Sequence, residues 1–104
     1  MELMVLAVPD CPGVPVLEER LAAVLADLPQ VPVARMVIGD EAGAARSGMH
    51  GSPTLLVDGA DPFAGPDAVT SMSCRLYRGE DGRMEWAPSV AELRRVLGAA
   101  QARR

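Results

Sequence analysis

The sequence is short of cysteine and of long apolar runs, and each shortage excludes a class of protein. Its two cysteines, Cys11 and Cys74, are too few for the disulfide framework of a small secreted domain. The longest apolar run, residues 3–8, is far below the ~20 residues that cross a bilayer. Glu2 stands where a signal peptide carries positive charge. We therefore predict a cytoplasmic protein whose thiols rest reduced unless they take part in chemistry.

Positive charge is also scarce. Ten basic and fourteen acidic side chains give a net charge of −4, which argues against a general nucleic-acid surface or an anionic-membrane surface. The 104 residues allow a single domain, residues 1–104, that buries about 65% of its surface on folding. That burial supports a core without a metal or a disulfide, and we predict no cofactor.

The apolar pattern predicts an α/β fold. Residues 3–8 form a continuous apolar run, which is typical of a central strand buried on both faces. A helix over 14–28, ended by Pro29, and a strand over 31–38 complete a right-handed βαβ unit. The remaining predicted elements are a short helix over 40–46 capped by Asp40 and stopped by Gly48, a strand over 54–57, a long loop over 60–70, a strand over 73–78, a last helix that begins at a capping box of Ser89 and Glu92, and a frayed tail over 99–104.

Cys11 is the first candidate for chemistry. It lies between the first strand and the first helix, where an open parallel sheet presents its crevice to ligands. Amide groups at the start of a helix favour the thiolate over the thiol, whereas the neighbouring carboxylate of Asp10 opposes it. The alternative is a small buried apolar residue, because free cysteine is among the most buried residue types.

A second motif spans residues 48–59, with the sequence GMHGSPTLLVDG. A short helix, two glycines, a small residue, Pro53-Thr54, an apolar strand and a closing glycine follow one another there. Together with Cys11-Pro12 earlier in the chain, this segment resembles the active site of the thioredoxin superfamily in order and spacing. The resemblance covers most of the chain apart from residues 60–70.

The resemblance implies a thioredoxin-like fold, βαβ-α-ββα, with a central mixed sheet flanked by helices. It implies that the Ser52–Pro53 peptide bond is cis and that Ser52 presents its backbone to an extended substrate facing Cys11. Pro12, Thr54 and His50, beside these residues, complete the predicted substrate-binding set. The alternative for Pro53 is an ordinary proline at the first residue of a strand.

The sequence departs from the family at the second cysteine of its C-x-x-C motif, where Val14 stands. Two thiol routes remain: an external low-molecular-weight thiol resolves a mixed disulfide on Cys11, or Cys74 does so. The second route requires the two Cα atoms to lie within about 7 Å. The family topology implies that the strand 73–78 runs antiparallel to 54–57, which places Cys74 towards the middle of the sheet. The alternative is a buried structural cysteine.

Other side chains have both a functional and a structural interpretation. His50, the single histidine, either assists Cys11 as a proton acceptor or is a solvated loop residue. Phe63 in the loop 60–70 is either a lid over the thiol or an anchor that ties the loop to the sheet. Arg75 and Arg78 either clamp a carboxylate or protect a strand edge.

Three functions compete. The first is a monothiol oxidoreductase that acts on a disulfide or a thiol adduct with a low-molecular-weight thiol. The second is thiolate chemistry on a soft metal such as mercury, with Cys11, Cys74 and Asp10. The third is a non-catalytic adaptor that binds an extended peptide of a protein partner. The methionines do not cluster as soft-metal ligands, and three of them are predicted to fill the core: Met4, Met36 and Met84.

Overall fold

The structure is a computed structural model that describes residues 1–28 and 31–102. These residues form a mixed α/β fold of three helices and three small sheets. The elements in chain order are β1 (Leu3–Ala7), α1 (Gly13–Leu25), β2 (Val33–Val37), α2 (Glu41–Ser47), β3 (His50–Ser52), β4 (Thr54–Val57), β5 (Ser71–Cys74), β6 (Tyr77–Arg78), β7 (Met84–Glu85) and α3 (Val90–Ala102).

The apolar strand β1 is the centre of the main sheet, as predicted, with the order β2-β1-β4. It pairs in parallel with β2 and antiparallel with β4, so that Val5 lies between Arg35 and Leu55. The β1 face that carries Val5 packs against Leu17 of α1 and Leu93 of α3 in one continuous core. Full burial of a leucine stabilises a fold by about 2–3 kcal/mol, so this layer holds the two helices on the sheet.

The short helix α2 covers part of the opposite face of the sheet. Ala44 of α2 packs with Leu6, Ile38 and Met49 in a second buried cluster. Its ends follow the sequence prediction: the carboxylate of Asp40 accepts a 2.6 Å hydrogen bond from the Gly43 amide. At the other end Gly48 adopts φ +78°, a left-handed conformation that favours glycine.

The predicted strand over 73–78 is wrong in extent and in pairing. β5 pairs in parallel with β3, with His50 opposite Ser71, and the chain then forms a separate hairpin of β6 and β7. The cause lies in the preceding connection. After the turn at Asp58, the long segment that includes 60–70 carries the chain back to the start of β3, so β5 runs in the direction of β3 and does not pair with β4.

The helix ends also differ from prediction. α1 ends at Leu25, and the predicted stop at Pro29 lies outside the described residues. α3 continues to Ala102 with Ala100 buried against the core, so the predicted frayed tail is wrong for 99–102. Residues 103 and 104 lie outside the described residues. The Ser89 half of the predicted capping box is confirmed: the Ser89 hydroxyl accepts a 3.0 Å hydrogen bond from the Glu92 amide, whereas the Glu92 carboxylate pairs with Arg95.

Candidate functional site

Cys11 occupies the loop between β1 and α1. Pro12, which is exposed, is the N-cap of α1, so Cys11 lies one residue before the cap. The Cys11 carbonyl accepts a 3.2 Å hydrogen bond from the Val14 amide. Its side chain packs with Ala7 and Val14, and the residue is 7% exposed. The thiol is therefore near the helix start, as predicted, but most of its surface is covered.

The proline segment begins at the cis peptide bond between Ser52 and Pro53, which confirms that prediction. The Ser52 hydroxyl accepts a 3.0 Å hydrogen bond from the Val8 amide, which ties this segment to the end of β1. A Cβ atom added at Gly13 would lie 2.7 Å from Cδ of Pro53 and 2.7 Å from the Trp86 carbonyl oxygen. The structure thus brings the start of α1 and the proline segment into direct contact, and only glycine fits between them.

Ser52 does not offer its carbonyl to a substrate in this structure. That oxygen accepts a 3.0 Å hydrogen bond from the Arg75 amide at the end of β5. Thr54 is also used internally: its hydroxyl donates a 2.6 Å hydrogen bond to the Gly51 carbonyl and accepts one of 3.1 Å from the His50 amide. The chain's own β5 therefore occupies the strand edge where the family resemblance places an extended substrate.

Tyr77 of β6 also contacts Pro53. Its hydroxyl donates a 2.6 Å hydrogen bond to the Pro53 carbonyl, and the Arg75 guanidinium lies 4.6 Å above its ring. Phe63 meets the same ring edge-on at 5.8 Å. Burial raises the pKa of the Tyr77 phenol above its usual range, the Arg75 charge opposes this shift, and negative charge on Asp61 and Cys11 adds to it. Tyr77 therefore remains a protonated donor at physiological pH.

A buried ion cluster supports this arrangement. The Asp61 side chain is 2% exposed and accepts hydrogen bonds from Arg75 Nη1 at 2.6 Å and from the Phe63 amide at 2.9 Å. His50 Nδ1 lies 3.0 Å from Asp61 Oδ2. Burial alone would raise the pKa of Asp61, but the hydrogen bonds from Arg75, His50 and Phe63 outweigh it and hold the pKa below its usual range. Because the carboxylate only accepts, His50 donates through Nδ1.

These contacts decide between several of the sequence interpretations. Phe63 packs against the main core and against Tyr77, so the prediction of an anchor for the loop is confirmed. Arg75 clamps a carboxylate, that of Asp61. The interpretation of His50 as a solvated loop residue is wrong, because it is half-buried against Asp61. Sequence reasoning missed Asp61 and Tyr77; the one signal for Asp61 was its place in a proline-rich loop beside the only phenylalanine.

The two cysteines differ in their surroundings. Cys74 is a free, exposed thiol at the end of β5, so the interpretation as a buried structural cysteine is wrong. Its strand position is opposite Ser52. Within residues 1–28 and 31–102, no group of three or more His, Cys, Asp or Glu side chains is arranged to hold a metal ion.

Comparison of the chain with models of known protein families, with curated proteins and with solved structures found no match. The likeness to the thioredoxin superfamily therefore rests on the residues of the two motifs. In the part of the chain that the structure describes, no helix combines the length and the apolar composition needed to cross a membrane.

Proposed function

We propose that the protein is a thioredoxin-like thiol oxidoreductase of the monothiol type, with Cys11 as its nucleophile. The observation that carries this proposal is the contact between Gly13, at the start of α1, and the ring of Pro53. It joins a cysteine beside a helix start to the proline segment, the two motifs on which the family resemblance rests. Val14 supplies no second thiol, and Cys74 is exposed whereas Cys11 is buried, so we assign the resolving step to a small thiol from solution.

The reaction proceeds in two exchange steps. Cys11 loses its proton to water, and its thiolate attacks one sulfur of a disulfide or thiol adduct; a mixed disulfide forms on Cys11 and the other sulfur leaves as a thiolate that takes a proton from water. A low-molecular-weight thiolate then attacks the sulfur attached to Cys11. With a thiol adduct as substrate, Cys11 takes up the sulfur of the small thiol, so this second step yields the disulfide of two small thiols and restores the Cys11 thiolate. The other substrate sulfur is released as a reduced thiol, and the one external thiol that attacked is oxidised.

Access to the buried Cys11 sulfur determines whether these steps can occur. Asp10, directly before Cys11, adopts φ +58°, a left-handed conformation that a non-glycine residue holds at a cost of about 1 kcal/mol. Because Cys11 is only 7% exposed, in-line attack on its sulfur requires this loop to open. Tyr77 acts as a positioning residue, because it fixes the Pro53 carbonyl.

The decisive experiment compares Cys11→Ser with Cys74→Ser. Each variant is assayed for reduction of a small mixed disulfide by glutathione, and each thiol is mapped by mass spectrometry after brief alkylation of the native protein. We expect Cys11→Ser to lose turnover and Cys74→Ser to keep it. Turnover that depends on Cys74 would overturn the proposal. So would a native protein that shows no turnover and whose Cys11 thiol stays unmodified by the alkylating reagent.

A peptide-binding adaptor is the second candidate, and the cover over Cys11 favours it. A thiol that is 7% exposed serves as a core residue without any chemistry. The variant Cys11→Ser distinguishes the two candidates. If the protein is an adaptor, the variant retains peptide binding; if it is an oxidoreductase, the variant loses turnover. Soft-metal chemistry with Cys11 and Cys74 gains no support from the geometry, because one thiol is buried and the other exposed.

A further inference from the structure

Strand β5 covers the backbone groups that the proposed function would offer to a polypeptide substrate. In the parallel pair of β3 and β5, Ser52 lies opposite Cys74, so the N–H and C=O groups of Ser52 both face β5. The Arg75 amide donates to the Ser52 carbonyl at 3.0 Å. A polypeptide that pairs with Ser52 as an added strand needs these same two groups. It therefore competes with the chain's own β5.

Strands β3 and β5 leave no room for another chain between them. A Cβ atom added at Gly51 would lie 2.9 Å from Cβ of Arg75 and 3.1 Å from the Ser73 carbonyl oxygen. The backbone of β3 is thus in direct contact with β5. A peptide that paired with the outer edge of β5 would lie one strand spacing, about 4.8 Å, further from Ser52. Neither position brings an extended polypeptide against Ser52.

The end of β5 is held by a buried ion pair. The Arg75 guanidinium lies 2.6 Å from the Asp61 carboxylate, and the two side chains are 13% and 2% exposed. Arg75 also donates to the Thr54 hydroxyl at 3.3 Å and lies over the Tyr77 ring. Separation of Arg75 from Asp61 would leave a buried charge without its partner, which is strongly destabilising. The part of β5 beside Ser52 is therefore a fixed part of the fold.

The start and the middle of β5 are anchored as well. The Ser71 amide donates to the Met49 carbonyl at 2.9 Å. Met72 is half-buried and packs against the buried cluster that contains Met49. Two methionines that the sequence predicts as core residues, Met36 and Met84, are instead 45% and 53% exposed. Met72 is thus the methionine that attaches β5 to the rest of the protein.

The loop that carries Cys11 offers a different approach to the sulfur. Asp10 and Pro12, on either side of Cys11, are exposed. A small molecule that reaches the sulfur when this loop opens needs no strand pairing with Ser52 and displaces no part of β5. A disulfide between two low-molecular-weight thiols meets this condition, whereas a polypeptide disulfide presented as an extended strand does not.

We propose that β5 makes the Cys11 site selective for disulfides between small thiols and excludes polypeptide disulfides presented as extended strands, with Arg75 as the specificity-determining residue. This inference rests on the proposed function and specifies its substrate class. Arg75 acts in two ways: its amide occupies the Ser52 carbonyl, and its side chain ties β5 to Asp61. The exchange steps at Cys11 are unchanged.

The first test compares two substrates that carry the same glutathione group. One is the mixed disulfide of glutathione with 2-mercaptoethanol; the other is a peptide of about ten residues, the length of a long strand, with one glutathionylated cysteine at its centre. Cys11→Ser supplies the uncatalysed rate for each. We expect kcat/KM to be higher for the small disulfide by about tenfold or more. Equal values would overturn the selectivity and leave the proposed function standing.

Variants that loosen β5 test its role directly. Arg75→Ala should shift the ratio of the two kcat/KM values towards the peptide by about threefold or more, whereas Arg78→Ala, the same change at an exposed residue of β6, should leave it unchanged. Met72→Ala, which spares the ion pair, should shift the ratio in the same direction, with Met84→Ala as its exposed control. Urea unfolding identifies the variants that are folded. A folded variant that shifts the ratio no more than its control would overturn the assignment to β5.

Amide hydrogen exchange, measured by NMR, distinguishes a failure of this inference from a failure of the proposed function. In the wild-type protein the Arg75 amide should exchange much more slowly than in an unstructured chain, and an excess of the unmodified peptide should not accelerate it. Rapid exchange, or exchange that the peptide accelerates, would show that β5 yields its place to a peptide, as an adaptor requires. Absence of turnover with both substrates would instead refute the oxidoreductase, and the exchange measurement does not depend on turnover.

Discussion

The hydroxyl of Tyr77 donates a 2.6 Å hydrogen bond to the carbonyl oxygen of Pro53, and this contact links the β6–β7 hairpin to the proline segment. The Tyr77 ring is in turn covered by the Arg75 guanidinium, which pairs with the buried Asp61. Residues far apart in sequence thereby hold Pro53 against the start of α1. The candidate site depends on this chain of contacts as much as on Cys11.

Tyr77→Phe removes the donor and leaves a buried carbonyl without its partner. We expect a loss of about 1–2 kcal/mol in the free energy of unfolding. Urea denaturation at pH 7 measures this change. Alkylation of Cys11 in the native variant should become faster, because the segment beside Gly13 is less firmly held. A variant with wild-type stability would show that the hydrogen bond contributes nothing to the fold.

Asp61→Asn removes the charge that holds Arg75 and His50. We expect it to lower the free energy of unfolding at pH 7 by about 2–3 kcal/mol, because it leaves a largely buried guanidinium without a counter-charge. Asp67→Asn, at an exposed residue of the same loop, is the matched control and should change stability by less than about 0.5 kcal/mol.

The same carboxylate makes stability depend on pH. The folded-state pKa of Asp61 is lowered, so the unfolded state takes up a proton first, and the stabilisation is present above about pH 4 and lost as the pH falls below that value. The gap between wild type and Asp61→Asn should therefore narrow from pH 7 to pH 3 in urea titrations. A gap that stays constant over this range would contradict the assignment.

Gly13→Ala tests the close approach of α1 and Pro53. The added methyl group meets both Pro53 and the Trp86 carbonyl, and overpacking of this kind costs about 1–3 kcal/mol. Gly98→Ala in α3 is the matched control: nothing lies within 4 Å of its added Cβ, so it should stabilise the helix by about 0.5–1 kcal/mol. The midpoint of thermal unfolding should fall for Gly13→Ala and rise for Gly98→Ala.

Arg20→Lys tests the attachment of α1 to the chain after β7. The Arg20 guanidinium donates to the Ala87 and Pro88 carbonyls at 3.0 and 3.2 Å and to Glu85 at 2.5 Å. A lysine ammonium group cannot donate to all three acceptors in the geometry of the planar guanidinium. We expect the free energy of unfolding to fall by about 1–2 kcal/mol. Arg94→Lys, on the exposed side of α3, should have little effect. Equal losses in the two variants would show that the guanidinium geometry contributes nothing.

Local patterns predicted the elements whose causes are local. The apolar run of β1, the cap at Asp40 and the left-handed stop at Gly48 each depend on a few adjacent residues, and each is found where the pattern places it. The alternation of β1, α1 and β2 also follows, since a buried strand followed by an amphipathic stretch has few ways to pack.

Pairing between distant segments did not follow from those patterns. Whether β5 joins β3 or β4 depends on the path of the loop 60–70, which carries no periodic signal. The contact of Asp61 with Arg75 and the exposure of Cys74 depend on that same path. The residue types predicted which side chains are reactive or charged, and only the tertiary arrangement showed which of them are in contact.

Trp86, the single tryptophan of the chain, offers its backbone to the junction of Gly13 and Pro53 while its residue stays 43% exposed. The single indole of the chain therefore belongs to the residue whose backbone carbonyl closes this junction. If α1 separates from the proline segment, the Trp86 backbone loses its close neighbour at Gly13. Tryptophan fluorescence of the unlabelled protein is thus a direct way to look for such a separation.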